Sequence, residues 1–318
     1  MTTSKKTWNA RITAMVALFF TFVFIMVVYY DRKQVITYIA PPPLPETVDF
    51  FAYNKKMIEM ANYGTTSVAT GISATSTLWT ATTTSISSPK NLWPVSTVYP
   101  KYGAILPFNR IVAYYGNLSS TALGALGRDP IPKMLDGLQK TVEAWQAADP
   151  STPVIPAFDY IVVIAQAGAG PDGKYRLRMS DEEIQKAIDL VDSIHGLIFL
   201  DIQPGLSNVE TEVPLLEKFL EKPNVELAID PEFSMKTGAK PGTIIGTMSA
   251  DDVNFSANYL ARIVRRKNLP PKILLVHRFT ENMVTGVKDI KTLEEVQIVM
   301  NMDGWGAPSI KKKVYSDV

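Results

Sequence analysis

Six short apolar runs, set between helical patterns, limit what this chain can fold into. They are RIVAYYGN (110–117), PVIPAFDYIVVIA (153–165), GLIFLDIQPG (196–205), VELAIDPEFS (225–234), KILLVHRFT (272–280) and VQIVMNMDGWG (296–306). Each is rich in β-branched or aromatic residues and stops at Gly, Pro or a polar cluster, as strands do. The apolar residues fill both faces of the strands, which argues for a parallel sheet covered by helices. A seventh run, TIIGTMS (243–249), is ambiguous.

Helical patterns fill the intervals. Residues 130–149 carry Leu135, Leu138, Val142 and Trp145 at helical spacing. Ser180 and Glu183 form a capping-box pattern, and Gly196 is placed to stop that helix. Residues 214–222 open with a proline, as a first helical turn allows. Residues 249–268 start at a serine N-cap, with acids in the first turn and Arg265, Arg266 and Lys267 in the last, matching the helix dipole.

No G-x-G-x-x-G or G-x-x-x-x-G-K-[ST] follows any strand, so the usual nucleotide fingerprints are missing. Polar and acidic residues instead close several different strands, as in a barrel whose working residues sit at strand C-termini. The expected fold is therefore α/β, a TIM-like (β/α) barrel over residues 106–318. Six strands and a doubtful seventh fall short of eight, so the barrel is expected to be incomplete at its C-terminus.

Period two assigns the strand-end side chains. Leu197, Phe199, Asp201 and Gln203 share one side of their strand, and Ile198, Leu200 and Ile202 the other. Ala228, Asp230 and Glu232 share a side of the next. Two carboxylates so close on a strand tip have their proton affinities driven apart, separating an acid from a base. Asp159 closes the PAFDY segment, His277 and Arg278 close KILLVHRFT, and Asp303 sits beside Trp305. Tyr114 and Tyr115 end the first strand.

Plainer roles compete. A strand-end aspartate such as Asp201 or Asp303 often caps a turn. His277 fits a neutral core histidine, and His195, at a helix C-terminus, has a structural reading. The Asn-x-Ser sites at Asn117 and Asn254 carry little weight. A metal site from Asp201, Asp230, Glu232 and His277 has no recognised ligand spacing. No cofactor is implied.

Composition narrows the classes. The 318 residues contain no cysteine, which excludes disulfides, thiol catalysis and a lipidated-cysteine anchor. Two histidines exclude a His-rich metal site. A net charge of +1 leaves no basic footprint for nucleic acid.

The N-terminus reads differently. Residues 1–11 form a short cytoplasmic segment. ITAMVALFFTFVFIMVVYY (12–30) has no charge and no proline and is long enough to span a bilayer. It exceeds a signal-peptide core and ends in Tyr29, Tyr30, Asp31, Arg32 and Lys33, an interfacial anchor. Lys5, Lys6 and Arg11 point the N-terminus to the cytoplasm, which leaves the C-terminal domain extracellular. Residues 31–105 read as a stalk. They hold a proline cluster at 39–48, a short amphipathic helix at 49–63 and a Ser/Thr-rich stretch at 64–88.

FLDIQPG, AIDPEFSM, the IPAFDY strand and VHRFT together resemble a group of uncharacterised bacterial surface or lipoprotein barrels, distantly similar to glycoside hydrolases. The resemblance covers about residues 110–315. It implies the barrel fold and an extracellular setting, with no assigned reaction. The chain departs from the pattern in having an apolar span where a lipidated cysteine is often found, and in ending before the last barrel strands.

Several acids with aromatic residues around one mouth suit carbohydrate, because rings cover sugar faces and carboxylates bind hydroxyls. The expectation is a membrane-anchored extracellular barrel that hydrolyses a surface polysaccharide. Asp230 and Glu232 are the acid/base pair, Asp201 and Asp303 partner carboxylates, and His277 tunes them. Tyr115, Asp159, Gln203, Arg278 and Trp305 would bind substrate. Two alternatives remain: a non-catalytic carbohydrate-binding barrel and a metal-assisted hydrolase.

Overall fold

All six apolar runs form strands of one sheet. In a computed structural model, which describes residues 48–61, 97–302 and 308–317, they are β1 (Arg110–Gly116), β2 (Val154–Ala165), β4 (Leu197–Ile202), β5 (Val225–Ile229), β7 (Lys272–Arg278) and β9 (Val296–Met302). They pair in parallel in the order β1-β2-β4-β5-β7-β9, and β3 (Arg176–Arg178) pairs antiparallel with β2. The doubtful TIIGTMS run stays outside this sheet. Only Met248–Ser249 (β6) is extended, and it pairs with β8 (Val284–Thr285) in a separate ribbon.

The order runs in one direction, so each new strand adds to the same edge. Right-handed crossovers then place every connecting helix on the same face. A doubly wound sheet would instead reverse at a switch point. The helices are α2 (Ile131–Ala148), α3 (Asp181–Asp192), the short α4 (Val209–Glu212) and α5 (Glu217–Leu220), and α6 (Ala250–Lys267). Helix α1 (Phe50–Ala61) precedes the sheet and α7 (Pro308–Asp317) follows it.

The sheet curls toward its other face. β1 and β7 are four strand spacings apart, about 19 Å in a flat sheet. Yet the rings of Tyr115 on β1 and His277 on β7 are 5.8 Å apart. β2 and β7 would be about 14 Å apart if flat, but Asp159 Oδ2 lies 3.4 Å from His277 Nε2. The result is a curled half-barrel.

Edges β1 and β9 do not pair among the described residues. A side chain crosses the gap instead. Gln297 accepts from Leu106 N–H (3.1 Å) and donates to Leu106 C=O (2.8 Å), just ahead of β1. Beside it, Lys101 N–H donates to Glu294 C=O, and the Lys101 ammonium pairs with Glu295.

Alternation splits the core in two. Outward residues such as Phe158, Tyr160, Ile198, Leu200, Leu227 and Val276 pack on Leu138 of α2, Ile188 of α3 and Leu260 of α6. Full burial of each such aliphatic side chain contributes about 1.5–3 kcal/mol. The concave face holds a smaller cluster of Ala157, Leu197, Phe199, Ala228 and Ile273, with Ile105, Leu106 and Val299 against it.

The helix ends follow their signals, with two differences. Ser180 and Glu183 close a reciprocal capping box, and Ser249 pairs with Asp252 at the start of α6. After α3 the left-handed residue is His195 (φ 52°), not Gly196. Gly196 is needed for space, because a Cβ there would lie 2.7 Å from Pro156 O and 2.8 Å from Val191 Cγ2. Trp145, expected on the buried face of α2, is 49% exposed, with the Arg110 guanidinium over its ring. Asn117, in one Asn-x-Ser pattern, is buried and donates to Ile161 C=O.

Part of the expected stalk belongs to the folded unit. Tyr53 and Val48 cluster with Tyr99 and Phe108, and Lys56 of α1 donates to Thr152 Oγ1. The apolar span 12–30 and the Ser/Thr stretch 64–88 lie outside the described residues. Among the described residues, no helix is long and apolar enough to cross a membrane.

Candidate active site at the strand tips

The curl brings one polar side chain from each parallel strand to a common rim. Inward positions alternate along the strands, and on β1 and β7 they run from apolar below to polar at the tip. On β1 these are Ile111, Ala113 and Tyr115; on β7, Ile273, Leu275 and His277; on β9, Gln297, Val299 and Asn301. β2 supplies Asp159, β4 supplies Asp201, and Asp230 follows β5 directly. Asp159, Asp201, Asp230 and His277 are all at least nine-tenths buried.

His277 sits at the centre. Its Nε2 faces Asp159 Oδ2 at 3.4 Å and Asp201 Oδ1 at 3.9 Å, and its Nδ1 lies 3.3 Å from Asn301 Nδ2. The edge of its ring meets Tyr115.

A second network fixes Asp230. Gln203 donates to Asp230 Oδ2 (3.3 Å) and to the Tyr115 hydroxyl (3.0 Å), and its Oε1 accepts from Ala165 N–H. Asp230 Oδ1 accepts from Glu232 N–H at 3.1 Å, which caps the turn Pro231–Phe233. The turn-capping role weighed for Asp201 is therefore played by Asp230, and Asp230 still faces the cavity.

That cavity has a volume of about 1210 Å³. Asp159, Asp230, Glu232 and His277 line its polar part, with Tyr115, Phe199 and Phe279 as aromatic wall. Its lining extends to Arg110, Trp145 and Thr152 at the opposite end of the strands.

The expected site residues fall into three groups. Tyr115, Asp159, Asp201, Gln203, Asp230, Glu232 and His277 come together here. Arg278 does not line the cavity. Period two turns it away from His277, and its guanidinium donates to Glu281 C=O. Asp303 and Trp305 lie outside the described residues. Asp159 also differs from expectation in lying mid-strand, since β2 runs six residues further to Ala165.

Asn301 and Phe279 were not singled out by sequence. Period two carried along VQIVMNMD would have aligned Asn301 with Gln297 and Val299. Nor does sequence flag the buried pair at the lower end of the sheet. Glu226 Oε2 accepts from Ile273 N–H, and the Lys272 ammonium donates to Val225 C=O and Lys222 C=O. Burial pushes the Glu226 carboxyl up to about 7 against the pull of Lys272 and Ile273 N–H. Burial likewise lowers the Lys272 ammonium, against the pull of Glu226.

No protein-family model matches the chain, and no curated protein matches it.

Proposed function

We propose that the rim is the active site of a hydrolase that cleaves glycosidic bonds in a surface polysaccharide. One observation carries this reading: acidic side chains from successive parallel strands meet beside aromatic walls in a cavity large enough for several sugar rings. Asp230, held by two donors, is in an arrangement that suits an anionic base or nucleophile. Glu232, half-buried and on the cavity wall, is the general acid. Tyr115 and Phe279 cover sugar faces, and Asp159 and Asp201 with His277 form the polar floor.

The fuller architecture belongs to the same proposal. The half-barrel follows the TIM-like pattern and is related to the bacterial surface barrels that its motifs resemble. Residues 12–30 cross the bilayer, the Ser/Thr stretch spaces the barrel from it, and the barrel lies outside the cell.

The test is release of reducing sugar from cell-envelope glycans by the full chain. Asp230→Asn and Glu232→Gln should each slow release by about 100-fold or more, the scale of general acid–base catalysis. Release at the parent rate by both variants overturns the assignment.

A second reading rests on the internal ties of Asp230. A carboxylate engaged by Gln203 and Glu232 N–H also serves to hold a wall in shape. A non-catalytic carbohydrate-binding barrel would retain glycan on an array and release no product.

A further inference from the structure

The two carboxylates that face His277 Nε2 stand farther from it than hydrogen bonds do. An N–H···O hydrogen bond spans 2.7–3.2 Å. His277 Nε2 stands 3.4 Å from Asp159 Oδ2 and 3.9 Å from Asp201 Oδ1. Two ligands on one tetrahedral ion, each bound at about 2.1 Å, lie about 3.4 Å apart. One ligand atom from each of Asp159, Asp201 and His277 falls within 4.8 Å of the other two.

Two further observations point to a cation. Asp159 is 4% exposed, yet its Oδ1 is buried and accepts no hydrogen bond. The rim also gathers acids: Asp159, Asp201 and Asp230 bring three carboxyl groups to it, and the lysine and arginine lining the cavity, Lys56 and Arg110, are held by Thr152 and Asp149 at its far end.

We propose that Asp159, Asp201 and His277 form a binding site for one divalent transition-metal ion of the Zn²⁺ or Mn²⁺ kind. The imidazole ligand selects against Mg²⁺ and Ca²⁺, which prefer all-oxygen shells. The ion enters from the cavity, which both Asp159 and His277 line. Asn301 is the outer partner. A half-turn of its amide puts its oxygen on His277 Nδ1–H, which fixes the ring with Nε2 toward the ion. These ligands are distinct from the Asp230–Glu232 pair, so the site stands whether or not sugars are cleaved.

The test is metal binding by the purified full chain, stripped with chelator and then titrated with ZnCl₂, MnCl₂ or MgCl₂. One equivalent of Zn²⁺ or Mn²⁺ should bind, at least tenfold tighter than Mg²⁺. Asp159→Asn and His277→Gln should each weaken binding at least tenfold, and Asn301→Ala by about 10–100-fold. The exposed variant Asp136→Asn should bind as the parent does. Because core variants can unfold, the parent is also loaded with Co²⁺. Its visible absorption bands should report a nitrogen ligand and a tetrahedral or five-coordinate shell. Sub-stoichiometric uptake, uptake that Asp159→Asn and His277→Gln leave unchanged, or a Co²⁺ spectrum of the hydrated ion overturns the proposal.

Discussion

Gln297 of β9 makes both a donor and an acceptor bond to the backbone of Leu106, at 2.8 and 3.1 Å, and so replaces a strand-to-strand ladder with one amide. Its inward position under Val299 brings it to the lower end of the concave face. Gln297→Ala would leave two half-buried backbone groups without partners, at a cost of about 2 kcal/mol. Urea denaturation should show a lower midpoint. Amide exchange should rise first at Leu106, before the outer core opens.

Glu226 should make stability depend on pH. Below its ordinary value of 4.5 both folded and unfolded chains keep the proton, and the folded carboxyl keeps it up to about 7. Between those values the native state holds more protons, so stability falls as pH rises across 4.5–7. The full loss is about 3 kcal/mol. Denaturation at pH 5 and pH 8 should show this slope in the parent and its disappearance in Glu226→Gln.

Glu212 of α4 fastens the β2–β3 hairpin. Its buried carboxylate accepts from Arg176 (2.7 Å), Arg178 (2.6 Å) and Ser207. Burial pushes its carboxyl up, but bonds from Arg178, Ser207 and Arg176 outweigh this and hold it below the usual value. Its contribution is therefore full above pH 4.5 and is lost as pH falls through the folded value. Glu212→Ala should cost about 3 kcal/mol, because Arg176 loses a buried partner. Thermal unfolding would register the loss, and faster exchange at residues 176–178 would locate it.

Local pattern carried the reading of the strands a long way. Leu197, Phe199 and Asp201 fall on the concave face because alternation is a property of one strand alone, and Ser180 with Glu183 caps α3 for the same local reason. Pattern failed where a distant segment decides. Asp159 reads as the close of PAFDY, yet it lies inside the run that ends at Ala165, where β2 still pairs with β4 and β3. Arg278 was grouped with His277 as a neighbour, although adjacent strand residues face opposite ways. Gly196 looked like a left-handed stop, but Pro156 on the next strand is what forbids a side chain there. Glu226 and Lys272 are ionisable residues in strands, and nothing local shows that the fold buries both.

The rim draws on residues from Tyr115 to Asn301, one per strand in chain order. A nascent or truncated chain that ends before β7 has no His277 to draw Asp159 and Asp201 together. Pairings of such large sequence separation are slow to form. The pocket is thus a late product of folding, and its completion waits on the arrival of β7 and β9.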